Sequence, residues 1–136
     1  MGIVFHEGSK TFHLYNKEIS YIFTILKNGS LGQLYFGRHI RDREDFSHLL
    51  ELQYRPLSPG VFEEDKFFSL DQIKQEYPSY GSSDYRRPAF EIKQPNGSNI
   101  SAFAYSSHRI FDGKEPLAEL PATYVEQKGE AQTLEI

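Results

Sequence analysis

The amino-acid sequence predicts a mainly β, antiparallel fold, and three observations carry that prediction. Runs of β-branched and aromatic residues recur along the chain. Two of the gaps between them hold the same tripeptide, Asn-Gly-Ser, beginning at Asn28 and Asn96. Only one segment, starting at Ser69, carries helix-start chemistry.

Phe12-His13-Leu14-Tyr15 is the first short run, and Ile19 to Leu26 is the second. Asn28-Gly29 separates it from Leu31 to Phe36. Asn-Gly in that setting predicts a type I′ hairpin, because both central residues must adopt positive φ. Gly37 closes the second strand. Arg41-Asp42-Arg43-Glu44-Asp45 reads as a solvated mixed-charge face. Phe46 to Leu52 suits either a helical turn or a strand. Two prolines and a glycine in Arg55 to Gly60 break both elements and leave a loop, and a long ordered loop is often a binding loop.

The predicted helix is short and covers residues 70–76. Ser69 as N-cap with Gln72 at the third helical position makes a capping box. Phe68 before the cap and Ile73 at the fourth position make a hydrophobic staple. Asp71 suits the positive end of the helix dipole, and Pro78 stops the helix. A second hairpin follows, from Ala89 to Lys93 through Pro95-Asn96-Gly97-Ser98 to Ile100–Tyr105. His108 to Phe111, ended by Asp112-Gly113, is a further strand. Thr123 to Glu126 and Thr133 to Ile136 are two more, the last running to the final residue.

Composition narrows the function classes. With 136 residues the chain has the length of one domain. It holds 11 Phe, 9 Tyr and no Trp, and 38% of residues are hydrophobic, too apolar for a disordered chain. A net charge of −4 offers no electrostatic footprint for nucleic acid. No apolar run approaches a membrane span, and the N-terminus lacks the basic region and apolar core of a signal peptide. The absence of cysteine excludes disulfide scaffolds, thiolate zinc sites and cysteine nucleophiles, and fits a reducing cytoplasm.

Motifs for chemistry are sparse. His6, His13, His39, His48 and His108 have no metal-type spacing, so no metal is expected. There is no G-x-S-x-G elbow, and a Ser-His-Asp set that converges only in space is invisible in sequence. Phosphate and dinucleotide loops are absent, so no cofactor is expected. Glu63-Glu64-Asp65 are adjacent and read as water-facing, and a glycosidase pair cannot be chosen among 19 acids.

The densest segment runs from Gln75 to Ala89, with three tyrosines, two prolines and the Asp84-Tyr85-Arg86-Arg87 run. Exposed Tyr with Asp and Arg suits sugar recognition. The other reading is structural: Asp84 pairs with Arg86 or Arg87 and fixes a turn. The structural reading has the greater weight.

Glu76-Tyr77-Pro78-x-Tyr80-Gly81-x-x-Asp84-Tyr85-Arg86-x-Pro88-Ala89 resembles the N-terminal domain of family 36 glycoside hydrolases, the bacterial α-galactosidases. Further stretches agree in order: Phe12-His13-Leu14, Ile19-Ser20-Tyr21, Leu34-Tyr35-Phe36-Gly37, Phe68-Ser69-Leu70-Asp71 and Asn96-Gly97-Ser98. Gly113-Lys114-x-x-Leu117-x-x-Leu120-Pro121-Ala122-Thr123-Tyr124 and Ala131-x-Thr133-Leu134-Glu135 complete the series.

The resemblance implies an antiparallel β-sandwich, the front part of a β-supersandwich over residues 1–136, cut inside that domain at its C-terminal end. The (β/α)8 barrel with its two catalytic aspartates would lie outside the chain, leaving no catalytic residue here. It implies a parent enzyme that hydrolyses terminal α-galactosides of the melibiose and raffinose type with retention, and a homotetramer. The segment itself would serve as scaffold, in assembly and at the substrate entrance. Loops of this domain reach a neighbouring subunit's site in the family, which by position points to Tyr54, Arg55 and Lys66. Asp84 and Arg86 match the motif and are expected to hold a turn and subunit packing. The alternative is a free-standing carbohydrate-binding β-sandwich without catalysis. A sandwich lacking strands would leave an apolar face and a sheet edge open.

Overall fold

Four strands form an antiparallel meander in the order β1-β2-β3-β4: β1 (Gly2–His6), β2 (Thr11–Tyr15), β3 (Ile19–Ile25) and β4 (Leu31–Arg38). In this computed structural model the described residues are 1–54, 62–116, 118–121 and 123–136. A separate antiparallel pair joins β5 (Arg109–Asp112) to β6 (Gln132–Glu135). The fold is therefore mainly β and antiparallel. β6 lies beside β1, where the Ile3 N–H donates to the Gln132 side-chain oxygen at 2.9 Å.

Register sorts the sheet into two faces. Phe5 pairs with Phe12 and Phe12 with Phe23, so three rings stack across three strands at centroid distances of 4.4 and 5.0 Å. His108, just before β5, packs edge-on against Phe12 at 4.9 Å. The opposite face carries Thr11, His13, Ser20, Ile22 and Thr24, all buried. Phe46, also buried, covers it from the loop after β4. A bulge between Ile22 and Phe23 leaves Leu34 of β4 outside the pairing.

The structure departs from the sequence expectations at several points. Among the described residues, 70–76 contain no helix: residues 70–72 turn, and the chain then pairs with β4. The Gln33 N–H donates to the Lys74 carbonyl at 2.8 Å and the Glu76 N–H to the Leu31 carbonyl at 2.9 Å, an antiparallel bridge of Gly32 with Gln75. The open edge of β4 competes for the same backbone groups, and tertiary context overrides the capping signal. Ser69, Leu70 and Ile73 are buried all the same, in a cluster with Leu26 and Phe68.

The Asn28-Gly29 turn is not type I′. Only Gly29 has positive φ, at 85°, and Asn28 does not. The Gly29 N–H donates to the Leu26 carbonyl and the Leu26 N–H to the Ser30 carbonyl, both at 2.8 Å. This is a type I turn closed by a glycine in the left-handed region. Gln94 to Ser98 repeats it, with Gly97 at φ 82°. The mirror-image turn appears instead at Ser82-Ser83, with φ 52° and 75°, between the bridged residues Gly81 and Asp84.

The segments 89–93 and 100–105 flank their turn without strand pairing, and 123–126 is likewise no strand. Phe46 to Leu52 makes a 3₁₀ turn at Ser47–Leu49. β1 was not anticipated. The loop from Arg55 to Gly60 lies outside the described residues.

Candidate functional site

His13, Ser20 and Asp42 converge from β2, β3 and the loop after β4. His13 Nδ1 lies 2.6 Å from Asp42 Oδ1, and His13 Nε2 lies 2.9 Å from Ser20 Oγ. His6 Nε2 reaches the same Asp42 oxygen at 3.0 Å. A carboxylate only accepts, so His13 Nδ1 donates to Asp42, while its Nε2 faces the Ser20 hydroxyl. The distances are those of a nucleophilic triad. Burial decides against that chemistry: Ser20 and His13 are both 0% exposed. Ser20 Oγ also accepts the Ile40 N–H at 3.0 Å. No acyl group reaches it, and the network ties the 40–42 loop to the sheet.

Burial alone would raise the Asp42 carboxyl, but hydrogen bonds from His13 and His6 outweigh it and hold the pKa below the usual value. Arg41-Asp42-Arg43 is thus more than a solvated charge run. The sequence gives a partial signal for this network. Thr11 and His13 alternate with Phe12 and Leu14, which marks one strand face as polar, but nothing local connects it to Asp42.

Asp84 and Arg86 are brought together. Arg86 Nε donates to Asp84 Oδ1 at 2.9 Å and an Nη to Oδ2 at 3.0 Å, a bidentate pair. The same Nη donates to the Leu70 and Ile73 carbonyls at 2.9 and 2.7 Å. Gln75 donates to Asp84 Oδ2 at 2.6 Å. One guanidinium therefore joins the Ser82-Ser83 turn to the 70–73 turn. Burial pushes the Asp84 carboxyl up, while the Arg86 contacts more than offset this and leave it lowered. Both groups are consumed internally, which is the arrangement of a turn clamp.

Tyr54 and Lys66 flank the stretch outside the described residues, where Arg55 falls. The Tyr54 ring is 55% exposed and lies tilted at 5.1 Å against Phe67, the neighbour of Lys66. Lys66 is exposed. Next to them, Lys27 pairs with Asp65 and places its ammonium 4.6 Å from the Phe68 ring centroid. The structure so places Tyr54 and Lys66 on one exposed aromatic and cationic edge. Among the described residues no group of three His, Asp or Glu side chains is arranged to hold a metal ion, and no helix is long and apolar enough to cross a membrane.

Residues 29–136 match the model of the glycosyl hydrolase family 36 N-terminal domain. Over 136 residues the chain is 40% identical to alpha-galactosidase AgaA of Geobacillus stearothermophilus, across 100% of this chain and 18% of that protein. The solved alpha-galactosidase from Lactobacillus brevis superimposes with a TM-score of 0.89 at 40% identity, over 97% of this chain and 18% of that one. A variant of the Geobacillus enzyme in complex with raffinose superimposes with a TM-score of 0.82 at 41% identity, over 92% of this chain and 17% of that one. The chain spans about 18% of the length of the relatives it matches.

Proposed function

The chain belongs to the family 36 glycosyl hydrolase N-terminal domains, and from that premise we propose that it is the non-catalytic N-terminal segment of a retaining α-galactosidase. The parent acts on terminal α-galactosides of the melibiose and raffinose type, in the cytoplasm, as a homotetramer. The observation that supports this reading is the end-to-end match: 40% identity over the whole chain, aligned with 18% of an α-galactosidase.

In this reading the catalytic carboxylates lie in a barrel outside these 136 residues. The complete burial of Ser20 and His13 accords with a segment that does no chemistry. Tyr54, Arg55 and Lys66 form part of the entrance to a neighbouring subunit's site, and Asp84 with Arg86 fixes the turn beside it. The test is p-nitrophenyl α-galactoside turnover by the purified chain and by its parent, with light scattering on both. Turnover by the parent alone supports the reading. Turnover by the 136-residue chain, above a mock-purified control, overturns it.

A further inference from the structure

On the polar face of the sheet, a cleft of about 740 Å³ opens between β4 and the loop that follows it. Tyr35 and Phe46 give it aromatic walls, and Arg41, Asp42, Arg43 and His48 bring polar groups to it. Pockets of a few hundred to 1,000 Å³ with apolar walls and a few fixed polar groups are the usual form of small-ligand sites.

Three features show what chemistry the cleft presents. Asp42 uses one oxygen for both imidazoles, and its second oxygen has no partner among the described residues. It is thus a positioned, ionised acceptor. Arg41 and Arg43 are exposed, and neither forms an ion pair among the described residues. They are exposed cationic donors at the cleft, Arg43 also contributing to the field that lowers the Asp45 carboxyl. The Tyr35 ring is fixed: its hydroxyl donates to the Arg38 carbonyl at 2.9 Å. A Cβ on Gly37 would stand only 2.7 Å from that hydroxyl oxygen. A glycine here is what lets the ring lie along the strand.

We infer that this cleft is a second saccharide site, distinct from the Tyr54–Lys66 edge, which takes an uncharged polyhydroxylic ligand. Vicinal hydroxyls donate to the free Asp42 oxygen and accept from the guanidinium of Arg41 or Arg43. The apolar sugar face packs on the Tyr35 ring. The Asp42 carboxylate offsets the charge of one of the two guanidiniums, so the cleft offers an acceptor and donors together, the combination that vicinal hydroxyls use.

The test is an NMR titration of the isotope-labelled protein with raffinose, a probe whose choice rests on the function proposed above. Methyl α-glucoside serves as a second uncharged probe that does not depend on it. Saturable shifts at Arg41, Arg43 and His48 are expected from raffinose. The Arg41→Ala/Arg43→Ala double variant should weaken binding at least tenfold with an unchanged melting temperature, since neither side chain is packed in the core. Binding of methyl α-glucoside alone upholds the cleft and counts against the α-galactoside reading. Three outcomes overturn the inference: no saturable shift with either sugar, loss of the Arg41 and Arg43 shifts in Lys66→Ala, or inorganic phosphate occupying the cleft in place of sugar.

Discussion

Asp84 has a side chain only 3% exposed, whereas its partner Arg86 is 48% exposed. That asymmetry fixes what substitution does. Arg86→Met keeps the stem but strands a buried carboxylate, and breaking a buried pair costs about 3–5 kcal/mol. Water reaching the open side of the pair lowers the expectation to about 2 kcal/mol. A urea titration of Arg86→Met against the parent sequence checks this, and an unchanged midpoint would refute the clamp. The same carboxylates set the acid limit. Asp42 and Asp84 both have folded pKa values below their ordinary ones. The stabilisation they give is fully present above the unfolded value of about 3.9 and fades as pH falls through the folded value. Stability should therefore drop steeply below about pH 4. Asp42→Asn should flatten that slope while being less stable at neutral pH, as read by melts at a series of pH values.

At the level of elements, the two Asn-Gly-Ser turns form an internal experiment. They share hydrogen bonding and a left-handed glycine, but a Cβ on Gly29 would sit 2.8 Å from the Ala104 Cβ, whereas one on Gly97 meets nothing within 4 Å. Gly97→Ala should cost about 1–2 kcal/mol, the left-handed penalty alone. Gly29→Ala should cost more, because the turn is also docked: the Tyr105 N–H donates to the Gly29 carbonyl at 2.8 Å. Equal losses in thermal melts would mean that the docking carries no weight. These turns also show what sequence reveals. Their positions, and the strands β2 to β4, follow from alternation and from Asn-Gly. Their type does not, because Asn28 adopts negative φ and its side-chain oxygen accepts the Ser30 N–H at 3.2 Å. The 70–76 segment fails for a different reason. Its capping box is genuine local chemistry, but the edge of β4 competes for the same backbone groups, and no window around Ser69 contains Leu31 or Gln33. Of the candidate site residues, the Asp84–Arg86 pair was legible because its members lie two residues apart. Asp42 was not, since its partners His6 and His13 lie 36 and 29 residues away.

Across the whole molecule, apolar surface is distributed unevenly. Phe5, Phe12 and Phe23 are stacked under Tyr105 and His108. Phe36, on the same side of the sheet opposite Tyr21, is 67% exposed. A second line of rings runs from Tyr77 through Phe90 to Phe103 at 5.1 and 4.6 Å, and its outer members are exposed. Single exposed rings are ordinary, but aligned ones on adjacent segments make a contiguous patch of the kind that marks contact surfaces. On the polar face, by contrast, His13 and Ser20 are buried and hydrogen-bonded to the 40–42 loop, which they hold against the sheet. Association of the 136-residue chain should therefore run through the aromatic side and be driven by area removed from water, at roughly 25 cal/mol per Å². Its average mass in sedimentation velocity should rise with protein concentration and persist in high salt, which screens charge but not apolar contact. Replacing Phe36 and Phe103 together by serine should reduce that rise without lowering the melting temperature, because neither ring is buried. A monomer at every concentration would refute this association, and association abolished by salt would place the contact surface on the charged 38–45 loop instead.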